Sequence, residues 1–272
     1  MTGVTDDELY RQYETVHVYR RGTGAKLVLN RPERMNAWNA QFAADLLAAI
    51  KEATADPEVR ALAVTGAGRA FSSGADLKDR DEGEGARLDP YQRLTEQYHP
   101  IITGLRTMPK PVLAAVNGPA AGIGLSLALA CDLVIAKESA YFLLAFVNIG
   151  LVPDGGSSLF VPSRVGFTRA AEMAMLGERV DARTALEWGL INRVWPDEEF
   201  DARADALLDR LANGATRSYA GTKRQLNRWM YEQMPSQLEF EAGIQREMAS
   251  SGDFAEGITA FLEKRPPRFT GA

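Results

Sequence analysis

The sequence predicts an α/β protein: a spiral of strand, strand and helix turns that ends in a run of helices. Three observations carry that prediction. A buried-strand pattern leads straight into a glycine-containing loop twice, at residues 61–65 before GAGRAFSSGADL and at residues 112–116 before NGPAAGIG. The second loop opens a helical pattern at about residues 123–130 and then a strand at 133–136, so the cycle repeats as a right-handed spiral and not as a sandwich. After Trp195-Pro196 the strand signals stop and helical periodicity fills the rest, which divides the chain into a core, 1–196, and a helical region, 197–272.

The elements follow in order. Alternation over residues 15–30 about Arg21-Gly22-Thr23-Gly24 reads as a hairpin that leads into RPERMNAW. Asn39 caps a helix to about Thr54 with Phe42, Leu46, Leu47 and Ile50 on one face. Residues 80–89 are charged and contain glycine, as in a mobile surface loop able to gate a pocket, and Pro90 starts a helix that runs to about Thr107. Helical patterns then cover 198–213, 216–232, 236–250 and 253–263. This last region either meets another subunit or closes over its own core.

Composition excludes several functions. With 46% hydrophobic and 25% charged residues the chain is an ordinary globular protein, and a net charge of -5 argues against a nucleic-acid binder that works by bulk positive charge. One cysteine, Cys131, allows no internal disulfide, and with only His17 and His99 beside it a metal centre is not expected. MTGVTDDELYRQY lacks the features of a signal peptide, and no stretch approaches the roughly 20 apolar residues of a membrane span. The expected compartment is the cytoplasm.

Two segments point to one chemistry. In FSSGADL, Gly74 permits close backbone approach, so the Ala75 amide is able to point into a cavity. In KPVLAAVNGPAAGIGLSLALACDLVIA, the amides of Gly122, Ile123 and Gly124 sit at a helix N-terminus, where unsatisfied donors favour an anion. Each segment alone is equally a plain turn or a tightly packed helix. Two such donors converging on a thioester oxygen make an oxyanion hole, worth about 2.7 to 4 kcal/mol per donor in hydrolases.

With NRPERMNAW, FSSGADL, KPVLAAVNGPAAGIG, CDLVIA, GLVPDGG and the terminal AFLEKR in this order, the chain resembles the crotonase (enoyl-CoA hydratase/isomerase) superfamily from about Val18 to Phe269. The resemblance implies a crotonase-like spiral of ββα turns with C-terminal helices that mediate homotrimers or dimers of trimers. It implies an acyl-CoA thioester substrate, with no cofactor beyond that coenzyme A, no metal, no nucleic acid and no membrane. It puts the oxyanion-hole amides on Ala75 and Ile123, the latter a position where the family often has glycine.

The two glutamates of similar hydratases correspond to Ser126 and Phe146, whereas Asp154 falls where enoyl-CoA isomerases place their single acid. AFVNIGLVPDGG looks closest to the isomerase of bacterial phenylacetate degradation. A double-bond shift needs one base, and an apolar wall of Ile149, Leu151, Val152 and Pro153 would raise the Asp154 pKa towards that role. Pro-Asp-Gly-Gly is also a natural helix entry, so capping by Asp154 is the competing reading. Arg34, Met35, Ser73, Lys78 and Lys264 match coenzyme A contacts of relatives, Lys264 from a neighbouring subunit, although isolated lysines are usually just solvated. Phe142, Leu143 and Phe146, with Leu144 beside them, are expected to wall the acyl pocket. A hydratase, or a hydrolase or dehalogenase using His99 or Ser126, and a noncatalytic or RNA-associated relative are the alternatives.

Overall fold

The computed structural model describes residues 7–78 and 89–272. The gating loop expected at 80–89 lies outside the described residues except for Asp89.

Strands β1 (Glu8–Gln12), β2 (Val16–Arg21), β3 (Gly24–Leu29), β4 (Ala61–Gly66), β5 (Val112–Val116), β6 (Ala120–Ala121), β7 (Leu133–Lys137), β8 (Tyr141–Leu143), β9 (Val180–Asp181) and β10 (Arg193–Trp195) form two sheets. Seven strands line up in the order β1-β2-β3-β4-β5-β7-β10, and β6-β8-β9 make a small second sheet. The β1-β2-β3 meander is antiparallel, and every later pair in the large sheet is parallel, as repeated strand-to-strand crossovers require. β1 sits where the polar N-terminus carries no apolar alternation, and as an edge strand exposed on both faces it needs none. The second sheet has strands of two or three residues, too short for a period-2 signal.

Helices α1 (Ala40–Ala55), α2 (Pro90–Gln92), α3 (His99–Thr107), α4 (Ile123–Ala130), α5 (Ser157–Leu176), α6 (Ala182–Glu187), α7 (Asp197–Ala212), α8 (Thr216–Met230), α9 (Met234–Ala249) and α10 (Gly252–Glu263) complete the fold. The Asn39 carboxamide accepts from Phe42 N–H at 2.9 Å and caps α1. The helix expected from Pro90 to Thr107 is helical throughout, but residues Arg93–Tyr98 form a π-helical segment between α2 and α3.

The parallel strands are buried on both faces, which is why they read as unbroken apolar runs. Leu62, Val64, Val112 and Ala114 face the main core with Phe42, Leu46, Ile101 and Leu125. Ala61, Ala63, Leu113 and Ala115 face the other way, against Phe200, Ala204 and Leu208 of α7. Small residues on that face let α7 lie close to the sheet. Among the described residues no helix is long and apolar enough to cross a membrane.

Candidate active site

Three loops join by backbone hydrogen bonds to form one wall of a cavity of about 570 Å³. Met35 and Asn36 take left-handed φ values of 52° and 54°, and the fully buried Asn36 donates to Ala67 O at 3.0 Å and Ala70 O at 2.9 Å. This pins RPERMNAW against the loop after β4. Ser73 N–H then bonds Met35 O at 3.0 Å, Trp38 N–H bonds Gly74 O at 2.8 Å, and Asp76 N–H bonds Trp38 O at 2.9 Å. In that parallel bridge the neighbours of Ala75 make the bonds to Trp38, so the Ala75 amide faces the other side of the segment.

The third loop is tied on through Ala121 N–H to Ser72 O at 2.9 Å, and Gly122 N–H reaches Leu143 O of β8 at 3.0 Å. Gly122 stands at the N-cap of α4 with φ 53° and ψ -130°, a conformation open essentially to glycine, and Ile123 is the first helical residue. Gly74, at φ 96°, comes so close that an added Cβ would lie 3.0 Å from Ala121 O and 3.8 Å from Gly122 Cα. The loops carrying Ala75 and Ile123 are therefore in contact, and both residues line the cavity, as expected from the sequence.

Asp154 lines the same cavity and is 6% exposed. Its loop abuts the start of α4, since a Cβ on Gly155 would clash with Ile123 Cδ1 at 2.2 Å. The capping reading is corrected here. Helix α5 begins at Ser157 behind a left-handed Gly156, and the Asp154 carboxylate takes no amide of that helix; Oδ2 accepts from Gln245 Nε2 at 2.8 Å. The helix N-terminus is served instead by Glu241, which accepts from Gly156 N–H at 2.7 Å and Ser158 N–H at 3.1 Å.

Burial pushes the Asp154 carboxyl up to about 8; the negative charge of Glu241 pushes the same way, and the Gln245 hydrogen bond pulls back. Burial also lifts Glu241 to about 7, against the bonds it accepts from Ser158 and Gly156. A carboxyl near 8 is matched to proton transfer at neutral pH.

The remaining expected residues divide. Arg34, Met35, Ser73, Lys78, Leu143 and Phe146 line the cavity. Phe142 does not: β8 alternates, so Tyr141 and Leu143 face the cavity while Phe142 is fully buried on the opposite side, and Leu144 is buried away from it as well. Ser126 is fully buried, and its hydroxyl donates to the Asp154 carbonyl at 2.8 Å. His99 is buried off the cavity, and burial lowers its pKa to about 4. Lys264 is exposed at the left-handed C-cap of α10, outside the cavity of its own chain.

Sequence reasoning missed Gln245 and Glu241 of α9, Tyr98 and Leu94 from the π-helical segment, Arg69 and Arg93 at the mouth, and Phe261 of α10. Glu241 and Gln245 are one turn apart on α9, a spacing visible in the sequence, but nothing local marks that face as buried.

Residues 21–272 match the Enoyl-CoA hydratase/isomerase family model. A Rhodobacter capsulatus protein named "Probable enoyl-CoA hydratase" is 45% identical, over 91% of this chain and 94% of that one. The 1,2-epoxyphenylacetyl-CoA isomerase of Escherichia coli is 41% identical, over 90% of this chain and 94% of that one. The crystal structure of an enoyl-CoA hydratase from Mycobacterium avium subsp. paratuberculosis superposes with a TM-score of 0.86 at 38% identity, over 95% of this chain and all of the other. Carrying the crotonase fold and this cavity, the chain is an enzyme of the enoyl-CoA hydratase/isomerase family.

Proposed function

We propose that the enzyme is an enoyl-CoA isomerase, which moves a carbon–carbon double bond along an acyl group held as its coenzyme A thioester. One observation carries the reading. Asp154, which lines the cavity with Glu33 and Asp76, is buried and raised to about 8 in the cavity that Ala75 and Ile123 also line, and the family resemblance puts Ser126 and Phe146 at the two positions of the hydratase acids.

In this mechanism the thioester oxygen sits between the Ala75 and Ile123 N–H groups. Asp154 takes a proton from one end of the allylic unit, and the C–H electron pair passes into a dienolate whose negative charge falls on that oxygen. The protonated Asp154, open to exchange with solvent, then gives a proton to the other end, and the double bond has moved. Nothing is oxidised and no water is consumed, so the step asks for no cofactor beyond the coenzyme A of its substrate. Arg34, Lys78 and the less expected Arg69 and Arg93 give the cavity mouth a positive rim suited to coenzyme A phosphates. Met35 and Ser73 lie beside that rim for the pantetheine, and Leu143 and Phe146 face the acyl group.

The likeness to 1,2-epoxyphenylacetyl-CoA isomerase supports the isomerase branch. A homotrimer or dimer of trimers fits the apolar side chains that the single chain leaves open on α8 and α9, Trp229 at 83% and Phe240 at 63% exposure. Incubation with 3-enoyl and 2-enoyl thioesters, with each product followed, tests the reaction. Double-bond shift with incorporation of solvent deuterium is expected. Hydration with labelled solvent oxygen and no shift overturns the isomerase in favour of a hydratase.

A further inference from the structure

We propose that Gln245 is the positioning residue of Asp154: by donating to Oδ2 it holds the carboxyl in the orientation from which it carries the travelling proton. The proposal rests on the isomerase reading above and adds to it the group that orients the shuttling carboxyl.

Gln245 is 4% exposed and lines the cavity from α9. Both ends of its carboxamide are engaged. Oε1 accepts from Val152 N–H at 3.2 Å, and Nε2 donates to Asp154 Oδ2 at 2.8 Å. The flipped amide would set Oε1 against the carboxylate and the NH₂ group against the Val152 N–H, two contacts between like partners. The Val152 amide therefore fixes which end of Gln245 meets Asp154.

Among the described residues Asp154 Oδ1 is buried and has no hydrogen-bond partner, so the Gln245 contact on Oδ2 is the hydrogen bond that orients the carboxyl. Held by the Gln245 N–H on Oδ2, the carboxyl keeps one orientation in its acid and base forms. During the shuttle a C–H bond breaks and an O–H bond forms on the Asp154 carboxyl. That O–H then breaks as the new C–H bond forms at the other carbon. Gln245 is neutral throughout and neither gains nor loses a proton, so it does not compete with Asp154 for the role.

The surroundings agree with this division. Ser126 Oγ and Ser157 Oγ each donate to the Asp154 backbone carbonyl at 2.8 Å and fix the main chain, not the carboxyl. Among the described residues, Glu241 on the same helix is the charged group whose field acts on the Asp154 carboxyl, and it opposes ionisation. Gln245 is the group that favours it.

Two variants separate the carboxyl contact from general support. Gln245→Met keeps the length of the side chain and removes both hydrogen bonds. Gln245→Glu keeps an acceptor for Val152 N–H and removes the donor to Asp154. For each, the Asp154 carboxyl is titrated by carbon-13 NMR, assigned against Asp154→Asn, and the pH profile of substrate C–H exchange with solvent deuterium is recorded with kcat and KM. The titration and the acid limb of the kcat profile should both move to higher pH, further in Gln245→Glu because a negative charge is added. At pH 7, kcat should fall by about 10²-fold with KM near the wild-type value, the scale of a misplaced reacting group.

A purely structural role predicts lower melting temperature and altered KM with both pH profiles in place, and that result overturns the proposal. A titration that moves while the kcat profile does not overturns it as well. If the wild-type enzyme exchanges no C–H proton of any enoyl thioester, the reaction assignment fails on its own. The NMR titration then still decides the hold on Asp154, and an unmoved titration rejects it.

Discussion

The two facing walls of the cavity are built by opposite means. On one side, the Ala75 and Ile123 amides are main-chain groups aimed by glycines with positive φ and by hydrogen bonds among three loops that are close neighbours in the spiral. On the other, the Asp154 carboxyl takes its properties from side chains 87 and 91 residues away, Glu241, which also accepts from the Gly156 amide, and Gln245, which also accepts from Val152 N–H. On the proposed mechanism the first wall tolerates side-chain exchange, because its chemistry is backbone. The second wall depends on side chains at every point, and this is where a shared scaffold can be retuned from one reaction to another.

The largest expected effect comes from the side-chain wall. Asp154→Asn keeps the volume and removes the base, so turnover and C–H exchange should fall by about 10²- to 10⁴-fold while acyl-CoA affinity, measured by calorimetry, persists. Wild-type exchange in that variant would falsify the shuttle. Because Asp154 caps no helix, the change should leave α5 in place.

Next comes the backbone wall. Gly122→Val forces a branched side chain onto φ 53° and ψ -130°, which displaces the Ile123 amide. A loss of about 10²- to 10³-fold in kcat is expected, the scale of one oxyanion donor. By contrast, Ile123→Val should be nearly silent in kcat. A large kcat defect in Ile123→Val would erase the distinction between the two walls.

A smaller effect is a displaced pH profile. Activity needs ionised Asp154, so it should rise with pH towards a plateau above about 8. The charge of Glu241 raises that pKa, so Glu241→Gln should move the acid limb of the profile to lower pH. A shift in the opposite direction would mean that Glu241 acts on Asp154 by some route other than its charge.

The same titration bears on stability. A folded pKa of about 8 against 3.8 in the unfolded chain means that the native state holds a proton the unfolded state has released. The stabilisation is fully present below the unfolded value and is lost as pH rises through the folded one. Chemical denaturation of Asp154→Asn and wild type at pH 5 and pH 8 should therefore show the variant gaining relative stability at pH 8, by at least ~1 kcal/mol on the scale of one pKa unit. Equal differences at the two pH values would reject the raised pKa.

Much of the scaffold was legible in order along the chain. The paired strand-and-glycine-loop signals located β4, β5 and the two amide loops, and the helix at 123–130 was read to its observed ends. Its residues are all buried, so no polar face blurs its limits. Other elements were silent for definable reasons. The small sheet has strands too short to show a period, α5 is interrupted by Gly166 and contains Pro162, and β1 is a polar edge. Phe142 was assigned to the acyl pocket on hydrophobicity, yet strand alternation gives that face to Tyr141 and Leu143, and the phase of a three-residue strand is set by its partners β6 and β9.

What the sequence determined by itself is whatever local conformation controls: the glycines that turn the Ala75 and Ile123 amides, the Asn39 cap, the two-face burial of the parallel strands, and the presence of one acid where hydratases carry two others. Only the tertiary structure decided what that acid is. Pro-Asp-Gly-Gly is equally consistent with a low-pKa helix cap and with a raised-pKa base, because a carboxyl's pKa depends on dielectric, charge and donors within a few ångströms. For Asp154 those neighbours are Gln245 and Glu241, which α9 brings across 91 and 87 residues of chain only when the helical region folds back over the core.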